Sequence, residues 1–211
     1  MANNEVLSLY RGIDPLNRIH MVIRYKRCPY EQMEKYIPKS GKVLDIGCGH
    51  GLFANFLALK SQDRFVTGID PCAEKIKVAR KSLNDRPNIN FIKSFFSDLD
   101  NHDFAAITLI DVLYLIPHQE QEKIVRLALS FLKDNGVLMI KEVPGDNSLR
   151  FKLAYLQEIV MVRLFRRTFG ADFYYRNLPD WSALLDKIGY KSETIRLDTP
   201  MPSYLFICRR K

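Results

Sequence analysis

A glycine-rich turn between an apolar strand and an apolar helix constrains this sequence more than any other feature. The apolar segment 42–46 predicts a buried strand, and the segment 52–60 predicts a helix. Three glycines, Gly47, Gly49 and Gly51, lie between them. They permit a tight turn and let a ligand approach bare backbone at the start of the helix. The turn therefore predicts a site for a nucleotide-like cofactor.

The spacing of these glycines narrows the class of cofactor. It is G-x-G-x-G, because Leu52 follows Gly51 directly, whereas dinucleotide sites open with G-x-G-x-x-G. A hydride-transfer enzyme is therefore disfavoured. Asp70 lies 19 residues after Gly51 and ends the second predicted strand. An acidic side chain at this place can accept both hydroxyls of a ribose.

Strands alternate with helices along most of the chain. The predicted strands are 42–46, 65–69, 89–92, 105–110, 137–143, 190–197 and 204–209. The predicted helices are 52–60, 71–83, 119–133 and 181–187. Pro71 suits the first position of its helix, and Asn135 and Gly136 suit the end of theirs. The alternation predicts an α/β fold with a doubly wound, mainly parallel, seven-stranded Rossmann-like sheet.

The length of 211 residues and the hydrophobic fraction of 47% fit one domain with a full core. Residues 1–40 and 145–178 fall outside the alternation. We interpret both segments as substrate walls, with 1–40 as an N-terminal helical cap and 145–178 as a helical insertion after the fifth strand that forms a lid or binds substrate. Residues 41–143 are then the cofactor-binding core, and 179–211 a C-terminal helix with a strand hairpin.

Three segments, 43–51, 68–71 and 110–115, resemble the class I S-adenosylmethionine-dependent methyltransferase superfamily. The resemblance implies S-adenosylmethionine as the cofactor. It also implies that the glycine turn packs against the amino-acid part of this cofactor and that the acid after the second strand holds its ribose. The predicted cofactor-binding residues are Asp45, Gly47, Cys48, Gly49, Gly51, Asp70, Pro71, Phe95, Phe96, Asp98 and Asp111.

The sequence departs from this superfamily where relatives often carry an aspartate that faces the adenine amino group. Phe95 stands at that position, and Asp98 follows three residues later. Phe95 or Phe96 can stack on the adenine ring, and Asp98 can accept its amino group. The competing interpretation places both phenylalanines in the core and makes Asp98 part of a turn.

Three residues near the carboxyl ends of the fourth and fifth strands are candidates for the catalytic side. Tyr114 can support a sulfonium through a cation–π contact, and His118 can act as a base near neutral pH. Glu142 can orient the acceptor. The competing interpretations are a half-buried core tyrosine, a capping or solvent-facing histidine at a helix start, and an ion pair of Glu142 with Lys141 or a neighbour.

Segment 147–168 carries a wide apolar stripe with basic ends, and 24–27 is a second basic cluster. The first is interpreted as a lid, as a contact with a membrane surface, or as a buried core or dimer helix. The net charge of +8 does not decide the function by itself.

The leading function is methyl transfer to a small, hydrophobic or lipid-like acceptor, with oxygen favoured as the acceptor atom. The alternatives are an RNA methyltransferase that uses the basic surface and a non-catalytic cofactor-binding module.

The cysteines and histidines predict no metal site. The four cysteines are scattered, and His20, His50 and His102 have no carboxylate or cysteine at ligand spacing. The N-terminal residues do not read as a signal peptide. We therefore expect a cytoplasmic protein, with peripheral contact at the inner membrane surface as an option. Small molecules are favoured over nucleic acid as partners, and the sequence leaves the oligomeric state undetermined.

Overall fold

A seven-stranded sheet organises the computed structural model, which describes residues 2–100, 102–145, 173–199 and 203–211. The strands are β1 (Gly41–Ile46), β2 (Arg64–Asp70), β3 (Ile89–Lys93), β4 (Phe104–Ile110), β5 (Leu132–Glu142), β6 (Tyr190–Leu197) and β7 (Ser203–Arg210). Their order is β3-β2-β1-β4-β5-β7-β6. Strands β1 to β5 pair in parallel, whereas β7 is antiparallel to both β5 and β6. The predicted mainly parallel sheet is confirmed.

Helices cover both faces of this sheet. They are α1 (Ala2–Ser8), α2 (Pro15–Arg27), α3 (Tyr30–Glu34), α4 (Leu52–Lys60), α5 (Ala73–Lys81), α6 (His118–Phe131) and α7 (Leu178–Ile188). Alternate residues of each strand feed two cores, as the pleat requires. Val43 packs with residues of α1 to α5, and its neighbour Leu44 packs with residues of α6 and α7. The N-terminal helices therefore lie on the same face as α4 and α5.

The junction between α6 and β5 differs from its prediction. Helix α6 ends at Phe131, so Asn135 and Gly136 do not terminate it and instead lie within β5. The β4–β5 register moves from Phe104–Leu132 to Ala106–Val137, and the intervening residues of β5 form a bulge. Pairing with β4 thus extends β5 towards its N-terminus as far as the end of α6, so the residues of the local helix-stop pattern lie in a strand.

The start of α5 also differs. The helix begins at Ala73 with Cys72 as its N-cap, so Pro71 precedes it and is not its first residue. The reason is a side-chain turn, because Oδ1 of Asp70 accepts the backbone N–H of Cys72 at 2.8 Å. This turn carries the chain over Pro71 before the helix can begin.

Within the described residues, no helix has the length and apolar content needed to cross a membrane. The predicted helical insertion, 145–178, and its apolar stripe, 147–168, lie almost entirely outside the described residues. The lid interpretation therefore stays a prediction.

Candidate functional site

A cavity of about 430 Å³ opens at the edge of the sheet where parallel strands end. The carboxyl ends of β1, β2 and β4 meet there, because these strands are neighbours and run in the same direction. Such an edge, at the point where connections leave the sheet in opposite directions, is the usual ligand site of a doubly wound fold. The predicted residues that line this cavity are Asp45, Gly47, Cys48, Gly49, Asp70, Pro71, Phe95, Phe96, Asp111 and Tyr114.

The three glycines of the turn differ in why the structure has no side chain at their positions. All have positive φ angles, of 69° at Gly47, 57° at Gly49 and 81° at Gly51. A Cβ at Gly47 would lie 2.5 Å from Val112, and one at Gly51 would lie 2.4 Å from the Phe91 ring. A Cβ at Gly49 would meet nothing within 4 Å. Gly47 and Gly51 are thus required by packing, whereas Gly49 leaves space beside the cavity.

Asp70 links the end of β2 to this turn. Its Oδ2 accepts the backbone N–H of Gly49 at 3.0 Å, and its Oδ1 accepts that of Cys72 at 2.8 Å. A carboxylate has about four acceptor positions, so each oxygen of Asp70 keeps capacity for another donor. The side chain is almost buried but lines the cavity. Two hydroxyls of a ligand can therefore bind to Asp70 without displacing the backbone.

Asp45, at the end of β1, is a buried carboxyl in the floor of the cavity. Burial raises its pKa to about 7, although the hydroxyl of Thr108 donates to Oδ1 at 2.7 Å and opposes this shift. The group therefore changes charge near neutral pH.

The three residues predicted to contact the adenine ring have different surroundings. Phe95 is 60% exposed and lines the cavity, which leaves its ring available to a flat ligand. Phe96 also reaches the cavity wall but is buried against Phe131, with ring centroids 5.0 Å apart. Asp98 is not among the described residues that line the cavity, and its carboxylate accepts the hydroxyl of Ser97. The geometry therefore gives no support to Asp98 as the adenine acceptor.

Tyr114 is the one predicted catalytic residue that lines the cavity. Its ring stacks on that of Tyr175 with centroids 5.1 Å apart and an angle of 4° between the planes. The backbone N–H of Tyr174 donates to the carbonyl of Tyr114 at 2.7 Å. Residues near the C-terminal end of the predicted insertion 145–178 thus contact Tyr114 on this side of the cavity.

Glu142 is buried and accepts hydrogen bonds from the backbone. Its Oε1 accepts the backbone N–H groups of Leu113 at 2.7 Å and Val112 at 3.2 Å. The side chain is buried and is not among the cavity-lining residues, and burial followed by the nearby Asp111 raises its pKa to about 8. Glu142 therefore holds the short 3-10 helix Leu113–Leu115 that carries Tyr114.

The ion-pair partner of Lys141 is Asp111, whereas the alternative interpretation paired Lys141 with Glu142. Lys141 lies 2.6 Å from Oδ1 of Asp111. Burial disfavours the charged form of Lys141, but Asp111, Cys28 and Glu142 together outweigh this effect and the pKa of Lys141 is raised. Asp111 has a φ of 54° and also approaches Arg24 at 3.9 Å. A cation therefore stands on each side of Asp111 where it meets the cavity.

His118 does not reach the cavity. It is the exposed first residue of α6, and its Nε2 lies 3.3 Å from the carbonyl of Tyr175. This matches the competing interpretation of a solvent-facing histidine at a helix start. Its predicted role as a base has no geometric support.

The sequence predicted residues 1–40 as a substrate wall, but it did not identify which of their side chains reach the cavity. Asn17, His20 and Arg24 of α2 and Tyr30 of α3 line the cavity together with the glycine turn. The rings of His20 and His50 meet edge to face at 5.8 Å. A signal for α2 was present, since Asp14 followed by Pro15 is typical of a helix start and the Asp14 side chain caps Asn17 N–H. Its position over the cavity depends on tertiary packing.

The described residues contain no group of three His, Cys, Asp or Glu side chains that could hold a metal ion. The cysteines Cys28, Cys48, Cys72 and Cys208 are all free. Burial raises the pKa of the Cys48 thiol beside the glycine turn, which disfavours a reactive thiolate.

Comparisons with known proteins agree with this geometry. A family model described as a methyltransferase domain matches residues 43–136. Ubiquinone biosynthesis O-methyltransferase from Glaesserella parasuis is 29% identical over 163 residues, which cover 74% of this chain and 61% of that protein. The chain therefore spans less than two thirds of that relative's length.

Solved structures share the fold at low sequence identity. An O-methyltransferase family protein from Burkholderia thailandensis matches with a TM-score of 0.73 and 13% identity, covering 92% of this chain and 59% of that one. Magnesium protoporphyrin IX methyltransferase from Synechocystis PCC 6803, solved with bound SAH, matches with a TM-score of 0.68 and 17% identity. It covers 97% of this chain and 92% of that one.

Proposed function

Because the chain belongs to the class I S-adenosylmethionine-dependent methyltransferase superfamily, we propose that it transfers a methyl group from S-adenosylmethionine to a hydroxyl oxygen of a small hydrophobic acceptor. The observation that carries this proposal is the cavity that joins the open side of Gly49, the carboxylate of Asp70 and an apolar wall. Relatives named as O-methyltransferases support oxygen as the acceptor atom.

The residues of this edge fit the cofactor. Asp70 has free acceptor positions for two ribose hydroxyls, and the absence of a side chain at Gly49 gives the ligand access to backbone. Phe95 offers an exposed ring for the adenine. When bound, the cofactor supplies an electrophilic methyl group on a sulfonium. The protein's own work is then to hold the two reactants in line.

The apolar part of the cavity lining favours an apolar acceptor. It includes Tyr30, Phe53, Tyr114 and Leu115, so a ring or an alkyl chain can bind there without leaving a polar group buried and unpaired. The parallel stacking of Tyr114 on Tyr175 supports a positioning role for the Tyr114 ring. A lipid-like acceptor fits the same wall.

An acceptor hydroxyl must also lose its proton. His20 and His50 both line the cavity, from α2 and from the glycine turn. An imidazole accepts a proton near neutral pH and is a common general base. In the proposal, one of these two imidazoles receives the hydroxyl proton, in place of His118.

Calorimetry with S-adenosylmethionine, followed by turnover with a panel of hydrophobic phenols and alcohols, tests this function. We expect binding of the cofactor and formation of S-adenosylhomocysteine only with hydroxyl acceptors, and Asp70→Ala serves as the matched negative control. Binding without turnover on any acceptor class would favour the non-catalytic module. Turnover on RNA with steep salt dependence would favour the RNA methyltransferase. The cytoplasmic location, with contact at the inner membrane surface, stays a prediction.

A further inference from the structure

The outward side of α2 carries aliphatic side chains in solvent. Ile19 is 58% exposed and Ile23 is 42% exposed, and they lie one turn apart on the same side of the helix. The opposite side is buried through Met21 and Tyr25, so α2 is firmly attached to the core. Ile19 and Ile23 are two of the four large hydrophobic residues identified as exposed in the described part of the chain.

Cations surround these two isoleucines. Arg18, Lys26 and Arg27 are exposed on α2, and the helix contains no acidic residue between Pro15 and Arg27. Within the part of the chain that the structure describes, none of these three cations forms an ion pair. We call Arg18, Ile19, Ile23, Lys26 and Arg27 the outer face of α2. It combines exposed aliphatic groups with uncompensated positive charge.

We propose that the outer face of α2 docks on an anionic lipid bilayer. Aliphatic side chains that enter the boundary between headgroups and acyl chains, with cations at the headgroups, are the pattern of an interfacial helix. The negative surface of an anionic leaflet complements the three cations. A single-stranded nucleic acid would draw on cations together with exposed aromatic rings, and the outer face offers aliphatic groups instead.

Docking on this side has a consequence for the cavity. The inner flank of α2 contributes Asn17, His20 and Arg24 to the cavity wall. A bilayer on the outer face of α2 therefore lies against the same helix that closes one side of the site. An apolar acceptor dissolved in the bilayer reaches the cavity by a short path around α2, without crossing water. The docking surface itself does not depend on the proposed reaction.

Vesicle co-sedimentation of the full chain, without cofactor or acceptor, tests the proposal. We compare phosphatidylcholine vesicles with vesicles that contain equal parts of phosphatidylcholine and phosphatidylglycerol. We expect binding to the anionic vesicles that weakens with added salt. The variant Ile19→Ala/Ile23→Ala should bind about tenfold more weakly, because it removes aliphatic surface while alanine keeps the helix.

The matched control is Phe65→Ala. Phe65 is 58% exposed but lies at the start of β2, at the sheet edge opposite the cavity. This variant should bind like the wild type. A charge-reversed variant, Arg18→Glu/Lys26→Glu/Arg27→Glu, should lose anionic binding, whereas reversal of the exposed Lys42, Lys133 and Lys191 should reduce it much less.

Several results would overturn the proposal. They are equal binding to neutral and anionic vesicles, unchanged binding of the Ile19→Ala/Ile23→Ala variant, and binding to RNA but to neither vesicle. Because the readout needs no methyl transfer, a failure here leaves the proposed reaction standing. An inactive protein that still binds vesicles through α2 would leave the docking surface standing.

Discussion

Asp70 holds the glycine turn to the end of β2 and, in the proposed function, also holds the cofactor ribose. Asp70→Ala should weaken binding of S-adenosylmethionine by about 1–3 kcal/mol, through loss of hydrogen bonds to a charged acceptor. Asp98→Ala is the matched control, because Asp98 is not among the cavity-lining residues. Calorimetry measures both. Equal binding by the two variants would show that Asp70 only shapes the turn.

Glu142 gives the structure a pH-dependent cost. Its pKa is raised from an ordinary 4.5 to about 8, so between these values the folded state binds more protons than the unfolded chain. Stability therefore falls as the pH rises through this window and levels off above it. Glu142→Gln keeps an acceptor oxygen for Leu113 without the charge. The melting temperature of this variant should rise relative to that of the wild type between about pH 5 and about pH 8. A difference in melting temperature that stays constant with pH would contradict the raised pKa of Glu142.

Substitutions at two glycines of the turn should have different effects, one on cofactor binding and the other on folding. Gly49→Val should weaken cofactor binding by roughly tenfold or more, since it adds a branched side chain on the cavity side at a positive φ. Its fold should survive, because a Cβ there meets nothing within 4 Å. Gly51→Val should instead destabilise the protein, because its Cβ would overlap Phe91. Circular dichroism with calorimetry distinguishes them, and normal cofactor binding by Gly49→Val would contradict the role of the turn.

The N-terminal helices are fixed to the glycine turn by a buried hydrogen-bond network. The hydroxyl of Tyr10 donates to the carbonyl of His50 at 2.8 Å and accepts from Asn55 at 2.7 Å. Tyr10→Phe should lower the free energy of unfolding by about 1–3 kcal/mol, because it leaves buried polar groups without this partner. Urea denaturation measures the loss. Tyr36→Phe, at a half-buried tyrosine, is the control and should lose less.

Local sequence signals predicted the elements that depend on local chemistry. Apolar patterns bounded by turn residues located β6 at residues 190–197 and α4 at residues 52–60. The signal failed at Asn135 and Gly136, because pairing of Leu132 with Phe104 outweighed the helix-stop pattern. A strand partner distant in sequence is invisible to a local pattern.

The same limit applies to the candidate site. The position of Asp70 followed from chain spacing, because the turn and the following acid are connected by one strand–helix–strand unit. His20 and Arg24 could not be found in this way. They reach the cavity only because α2 folds back over the sheet edge, through contacts of Met21 and Tyr25 with the core. The hydrogen-bond partners of Glu142, Val112 and Leu113, could not be predicted for the related reason that they belong to another segment.

At the level of the whole molecule, the cavity draws its walls from segments that meet only in the folded chain. The N-terminal helices, the glycine turn and the residues after β2 and β4 all contribute. The cofactor should therefore bind the native state alone and stabilise it by mass action. At a concentration one hundred times its dissociation constant, the gain is about 2.7 kcal/mol.

For a chain of this size, that gain corresponds to a rise in melting temperature of roughly 5–11 °C. Differential scanning calorimetry with S-adenosylmethionine and with S-adenosylhomocysteine measures it, and ATP is the control ligand because it presents the same adenosine without the amino-acid part. We expect both sulfur compounds to stabilise the wild type and Asp70→Ala to respond less at the same concentration. A rise with ATP equal to that with S-adenosylmethionine would mean that the cavity recognises adenosine alone, and the glycine turn would then lose its assigned contact with the amino-acid part of the cofactor.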